Sequence, residues 1–476
     1  MTKISLINLI IVIFMAAVPP YCAANGIAQP LSPVAQLSPM ALQDQVQKPA
    51  SHQDPLRVEI RQEGASYQIF RGGEPYYIKG IGGRHYLETA AAAGANSIRT
   101  WDPRDADALL DRARDLQMTV MLGIWFSHYA TDYTDPCYRE RKIEEIKYLV
   151  DTYKDHPALL AWSLGNEVNL EGGDTHEAWI FIDELARLIK EMDPNHPVIT
   201  VIAYNKSTLN AISALAPNLD AVGINAYGAV DSLRAMIDQS FYRGPYVITE
   251  WGVDGHWEAS KTSWGRPIEA TSAQKEEWHL QRYNRDILAN SDRCIGSYVF
   301  LWGQKQERTP TWYSMFLKDI LGTDTGAVSF PAVDAMYFNW TGTWPHNRAP
   351  QVWRMLINDV AAESNIILSP NEPIISRVNA GDPDNDELTY IWELLEEPAE
   401  LSIGGSYEAA PRTLVSVKGT NTARLNLRAP GLAGQYRLFV YVLDNNGHAG
   451  TANIPFQVNI PTDHKMVADL RPSGPI

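Results

Sequence analysis

At 476 residues the chain is too long for one ordinary core, and a barrel of about 250 residues plus a smaller module fits it. It is 45% hydrophobic and 20% charged, with a formal net charge of −16, a globular rather than disordered balance. So acidic a chain is not expected to take nucleic acid as its partner, because phosphate binding needs clustered Lys and Arg, and it permits a neutral polymer such as a glucan.

The N-terminus runs from Met1-Thr2-Lys3 through an apolar stretch, about Ile4 to Val18, to Ala23-Ala24. This order of charge, apolar segment and small residues predicts a signal peptide over 1–24 and a secreted, periplasmic or cell-envelope location. A transmembrane anchor is the competing reading, but the run falls short of the roughly 20 residues a span requires. Cys22 raises a lipidated alternative, for which Pro20-Tyr21 is a poor signal. No stable membrane span is expected. Cleavage after Ala24 would leave Cys137 and Cys294, too few for a disulfide scaffold or a metal site, and free thiols are expected.

Residues 25–54, rich in Pro, Gln, Ala and Ser, read as a flexible linker. From Val58 to Ile78 the pattern alternates around Gly64 and Gly72-Gly73, predicting a β-hairpin that leads into a barrel and plugs its bottom. From about Tyr77 to Tyr337, eight short apolar runs alternate with amphipathic stretches, the pattern of parallel βα units. The predicted strands end near Gly80, Ile98, Ile124, Leu164, Val201, Ile224, Thr249 and Val299, each too apolar for a sheet with a wet face. The fold class is therefore α/β, a (β/α)8 barrel that with its hairpin occupies 55–345.

Around Thr341 to Pro350 this pattern breaks, and alternating strands separated by Gly, Asn and Asp follow. They predict a β-sandwich over 346–462, with a tail over 463–476. Its Asp382-Pro-Asp-Asn-Asp386 stretch resembles the strand-connecting turn of PKD-like and cadherin-like sandwiches; a plain Asx-rich turn is preferred over a calcium loop, since the glycine and distal glutamate of an EF-hand are absent. The sandwich aromatics fall mostly at core-facing positions, which favours a spacer or packing module over a carbohydrate binder.

Active sites of parallel barrels lie at the C-terminal ends of the strands. Leu159-Leu-Ala-Trp-Ser-Leu-Gly-Asn166-Glu167 ends the fourth strand in a carboxylate, and Tyr246-Val-Ile-Thr-Glu250 ends the seventh in another. Strands four and seven lie nearly across the mouth, so the two can face each other over a bound sugar. A gap of about 5 to 5.5 Å lets one attack the anomeric carbon while the other protonates the leaving oxygen, with retention; a wider gap implies inversion.

These residues resemble clan A of the glycoside hydrolases, the retaining group with its acid/base on strand four and its nucleophile on strand seven. Asn166-Glu167 matches the clan's Asn-Glu pair, Glu250 its nucleophile, Tyr227 in Gly-Ile-Asn-Ala-Tyr-Gly its strand-six tyrosine, Arg99 its strand-two arginine and Trp302 its strand-eight tryptophan. The wording is nearest to family 2, through Gly-Ile-Gly-Gly-Arg-His and Asn-Ser-Ile-Arg99-Thr, over about 260 residues, a barrel's length. Family 2 enzymes carry large β-domains ahead of the barrel, whereas a tether and a hairpin precede it here. The short hairpin is similar to that of β-1,3-glucanosyltransferases, which moves the expectation toward a β-linked polysaccharide.

The resemblance implies a retaining glycoside hydrolase with Glu167 as acid/base and Glu250 as nucleophile; a β-glucan transglycosylase using the same residues and a non-catalytic carbohydrate-binding envelope protein are the alternatives. Asn166 is suited to bond the sugar 2-OH, and Arg99 and Tyr227 to hold Glu250 ionised. Glu167, beside that charge, is expected to be protonated at rest. Trp125, Trp251 and Trp302 are expected sugar platforms, with Trp101 and Trp312 as further candidates, and His128, with His85 and His256, is placed to meet hydroxyls. No His-x-x-x-His or His-x-His spacing, Gly-x-Gly-x-x-Gly or phosphate loop accompanies them, so neither metal nor nucleotide cofactor is expected.

Overall fold

The computed structural model describes residues 56–317, 328–399, 401–402, 404 and 407–459. The signal peptide, the Cys22 alternative, the linker and the tail lie outside the described residues. Three short antiparallel strands come first, β1 (Val58–Glu63), β2 (Ser66–Arg71) and β3 (Glu74–Tyr76). Val58 and Ile69 pack with Leu160, Ile199, Val247 and Ile295, and Val58 N–H donates to Asn195 O, so the hairpin closes the N-terminal end of the barrel.

The barrel strands are β4 (Ile78–Gly82), β5 (Ser97–Arg99), β6 (Thr119–Ile124), β7 (Leu159–Leu164), β8 (Val198–Ala203), β9 (Ala221–Asn225), β10 (Tyr246–Trp251) and β11 (Cys294–Val299). They close in the order β10-β11-β4-β5-β6-β7-β8-β9 with every pair parallel, the eight-stranded barrel expected from the alternation. Around it run α1 (Leu87–Ala92), α2 (Ala106–Asp115), α3 (Pro136–Tyr153), α4 (His176–Met192), α5 (Lys206–Leu215), α6 (Val230–Asp238), α7 (Ser272–Arg282) and α8 (Pro331–Thr341). Helix α4 shows the local logic. Thr175 caps its first turn by accepting from Ala178 N–H, and Ala178, Phe181, Ile182, Leu185 and Ile189 form one buried stripe against the strands.

Between the last barrel strand and α8 lie β12 (Phe316–Leu317) and β13 (Val328–Ser329). The C-terminal sandwich comprises a three-stranded sheet, β14 (Gln351–Ile357), β16 (Pro373–Gly381) and β19 (Arg424–Arg428), facing a five-stranded sheet of β15 (Ile367–Leu368), β21 (Ala449–Val458), β20 (Gly434–Leu443), β17 (Thr389–Glu396) and β18 (Thr413–Thr420). Val352, Ile374, Trp392, Val440 and Phe456 form its core.

The sandwich packs directly on the barrel through buried polar groups. Glu269 receives Lys275 Nζ at 2.6 Å, Thr309 Oγ1 at 2.6 Å and Thr311 Oγ1 at 2.8 Å from its own domain, and Asn453 Nδ2 at 2.7 Å from β21. Arg437 of β20 donates to Pro267 O at 2.9 Å, and Glu408 accepts from Gln306 and Arg308 of the loop after β11. A buried charge so fully bonded is costly to break from either side, which ties the two domains into one compact unit.

Two expectations are completed here. Cys294 is free, as expected, and buried, while Cys137 sits in the first turn of α3. In the Asp382–Asp386 turn, Asp382 Oδ1 accepts from Asp384 N–H and Asp386 N–H, as an Asx turn does. Carboxylate oxygens of Asp382, Asp386 and Asp444 also lie within 4.8 Å of one another. Among the described residues no helix is long and apolar enough to cross a membrane.

Candidate active site

Gly165 sets the direction of the chain at the end of β7. It sits at φ +77°, where a side chain is strained, and a Cβ there would come 2.6 Å from Val168. Two residues on, Glu167 also has positive φ (51°), and its N–H is tied to Val201 O at 2.9 Å on the next strand. That backbone, uncommon for a non-glycine residue, is held by the neighbouring strand. His128 Nε2 lies 2.8 Å from Asn166 O and clamps the same turn from the loop after β6.

Glu250 is aimed by an irregularity. Ile248 pairs with Ile224, but Glu250 pairs with Asn225, so β10 carries one extra residue, Thr249, at the mouth. Bulges next to sites re-aim a side chain in this way. Thr249 is itself used: its Oγ1 donates to Asn225 Oδ1 at 2.7 Å, and its carbonyl accepts Arg99 Nη1 at 3.0 Å.

Three donors converge on the Glu250 carboxylate. Arg99 Nη1 and Trp101 Nε1 each lie 2.8 Å from Oε1, and Tyr227 OH lies 2.5 Å from Oε2. Arg99, 1% exposed at the end of β5, extends the network by donating to Asn166 Oδ1 at 2.5 Å, an oxygen that also accepts Asn225 Nδ2 at 3.2 Å. With Oδ1 occupied, Asn166 retains its Nδ2 hydrogens as donors for a ligand.

The two glutamates differ in environment. Burial, and next the charge of Glu250, push the Glu167 carboxyl up to about 7, against weaker pulls from Asn225, Arg99 and Lys305. Tyr227 is raised well above its ordinary range by burial and by Glu250, so it stays a neutral donor. One carboxylate is thus gripped as an acceptor while the other keeps a proton near neutrality. This separation assigns acid and base roles where two carboxyls share a site.

The structure brings Glu167, Glu250, Asn166, Arg99 and Tyr227 together, with His128 supporting the turn. Trp125 stays at the rim, 40% exposed, with its ring 5.3 Å from His128. Two expected platforms are corrected. Trp251 packs outward against His279 and Tyr283, and Trp302 against Phe316 and Trp340; both are 0% exposed and present no face to a sugar. Trp312 is buried too, its Nε1 donating to Asp254 O. The ring at the end of β11 is instead Phe300, edge-on to Trp101 at 5.9 Å, Tyr227 at 5.6 Å and Tyr313 at 5.6 Å. His85 is exposed at the rim, and His256 is set against Glu307.

Sequence reading missed the nucleophile-side role of Trp101, the bridging Asn225, and Phe300. Asn225 carried a signal, a polar residue at a strand end in the quoted Gly-Ile-Asn-Ala-Tyr-Gly. Phe300 carried none, since an apolar residue after an apolar strand looks like core.

Residues 110–305 match the profile of the glycosyl hydrolases family 2 TIM barrel domain. Over those residues the barrel is similar to the family 2 glycosyl hydrolase barrel domain. The chain is 26% identical over 284 residues to a β-glucuronidase of Paenibacillus borealis, covering 51% of this chain and 45% of that one. It is also 27% identical over 156 residues to a probable mannan endo-1,4-β-mannosidase C of Aspergillus terreus, covering 27% and 38% respectively. A crystal structure of a Bacteroides uniformis β-glucuronidase aligns with a TM-score of 0.44 and 15% identity, covering 85% of this chain and 48% of that one. The chain thus spans less than half the length of the curated relatives named here. Both relatives carry β-glycosidase names, and the matched residues 110–305 span β6 to β11 and include Glu167 and Glu250.

The proton on Glu167 gives a direct expectation. If Glu167 serves as the proton donor, it must be protonated to assist departure of a leaving group, and kcat/KM should fall as pH rises through about 7. A pH profile on an unactivated β-glycoside tests this, and a profile flat to pH 9 would remove Glu167 from the role.

Proposed function

We propose that the protein is a retaining glycoside hydrolase acting on β-linked glycans by double displacement. The observation that carries this reading is the asymmetry of the pair, with three donors on Glu250 and the raised carboxyl of Glu167. Glu250 attacks the anomeric carbon while Glu167 gives its proton to the glycosidic oxygen, which leaves as the alcohol. Loss of the Glu250 charge by esterification then lowers the pKa of Glu167, which takes a proton from water as that water attacks the glycosyl ester and frees Glu250. Asn166 donates to the sugar 2-OH, a bond that strengthens in the oxocarbenium-like transition state. Trp125 offers a stacking face at the rim. Export, read from the N-terminal pattern, fits a polymeric substrate outside the cell.

The test is stereochemical. Proton NMR of the first product from an aryl β-glycoside should show the β-anomer before mutarotation. The α-anomer appearing first would mean inversion and would reject the double displacement.

A further inference from the structure

The outer face of the three-stranded sandwich sheet differs from the rest of this acidic chain. Strands β14, β16 and β19 contain four arginines and no acidic residue. Alternation sends Val352, Met355, Ile374, Val378 and Leu425 into the core and leaves Arg354, Arg377, Asn379, Arg424, Asn426 and Arg428 exposed.

The register gathers these groups. Arg354 pairs with Asn379, Arg377 with Arg424, and Pro373 with Arg428. Two arginines directly opposite on a solvent face repel, so the pair concentrates positive charge that an anionic ligand would relieve. Asp359 pairs with Arg377 at 2.7 Å, and Arg428 donates to Asn371 O at 2.9 Å. Among the described residues Arg354 and Arg424 have no acidic partner.

An exposed aromatic ring completes the face. Between the Val352–Ala380 and Arg354–Asn379 pairs the register shifts, so Trp353 is an extra residue in β14, and both Trp353 and Arg354 turn outward. The Trp353 ring, 52% exposed, lies over Gly381, where a Cβ would stand 2.9 Å from it. A flat ring beside guanidinium and amide donors matches a sugar chain that offers C–H faces and carboxylates together.

We propose that this sheet face binds an acidic polysaccharide, a chain of uronate residues, with Trp353 as the stacking platform and the four arginines as its charge complement. Choosing a glycan among polyanions rests on the glycosidase reading of the barrel.

Affinity electrophoresis of the full chain through gels containing β-1,4-polymannuronate or neutral glucomannan tests it. Polymannuronate should retard the protein at low salt and release it at high salt, while glucomannan should not match it. The double variant Arg377→Gln/Arg424→Gln should weaken retardation about tenfold, the loss of two exposed charge pairs. Trp353→Ala should weaken it at unchanged thermal midpoint, and both variants should hydrolyse aryl glycosides like the parent. No retardation by polymannuronate, equal retardation by glucomannan, unaltered binding by the arginine variant, or equally effective competition by duplex DNA would each overturn the proposal. Polymannuronate binding by a protein without glycosidase activity would break the barrel reading alone; activity without binding would break this one alone.

Discussion

Glu250→Ala is expected to lower kcat on aryl β-glycosides by about five orders of magnitude, the scale on which removing an enzyme's nucleophile acts. The geometry makes this the largest single effect. Arg99, Trp101 and Tyr227 all spend their hydrogen bonds on that carboxylate, so without it they are left as buried donors facing an empty position. Substrate affinity should change far less, because Asn166 and the rim aromatics remain. A variant that kept a tenth of the parent activity, measured with protein purified away from host glycosidases, would show that another group attacks the anomeric carbon.

The second large effect is at Glu167, and it should depend on the leaving group. Glu167→Ala should cost about 10²- to 10⁴-fold on substrates whose leaving oxygen needs a proton. On dinitrophenyl glycosides the first step should survive, and the ester on Glu250 should accumulate for want of a base to activate water. Added azide, which needs no deprotonation, should restore turnover and give the β-glycosyl azide. An α-azide, or rescue of Glu250→Ala with retained configuration, would reverse the two roles. The fall in kcat/KM above pH 7 should vanish in this variant, since the group responsible is gone.

Much of this was legible in the sequence because barrel geometry links position to chemistry. Each strand is a continuous apolar run ending where polar residues begin, so Glu167 and Glu250 announce themselves at the ends of β7 and β10. Arg99 and Tyr227 were legible for the same reason. The tryptophans were not, because a strand-end ring can turn inward to the mouth or outward to the helices, and alternation flips with one bulged residue. In β10 the bulge at Thr249 lets Glu250 reach the mouth while the adjacent Trp251 packs against His279 and Tyr283. Trp302 lies three residues past the end of β11, and Phe316 and Trp340, remote in sequence, enclose it.

The sandwich shows the same limit. Its alternation announced strands and core, but two facts needed pairing register: that Arg377 faces Arg424, and that Trp353 is an extra residue turned outward. Likewise Glu269 and Asn453 lie far apart in the chain, and no pattern within either segment indicates that they meet.

Double displacement requires a covalent bond between Glu250 and the sugar. Incubation with activated 2-deoxy-2-fluoro β-glycosides, followed by proteolysis and mass spectrometry, tests it most directly, because the fluorine slows hydrolysis of the ester and lets it accumulate. Stoichiometric inactivation is expected, with the fluorosugar on the peptide containing Tyr246-Val-Ile-Thr-Glu250, and none in Glu250→Ala. A label on another residue, or turnover of the parent glycosides with no adduct from their fluorinated counterparts, would contradict it.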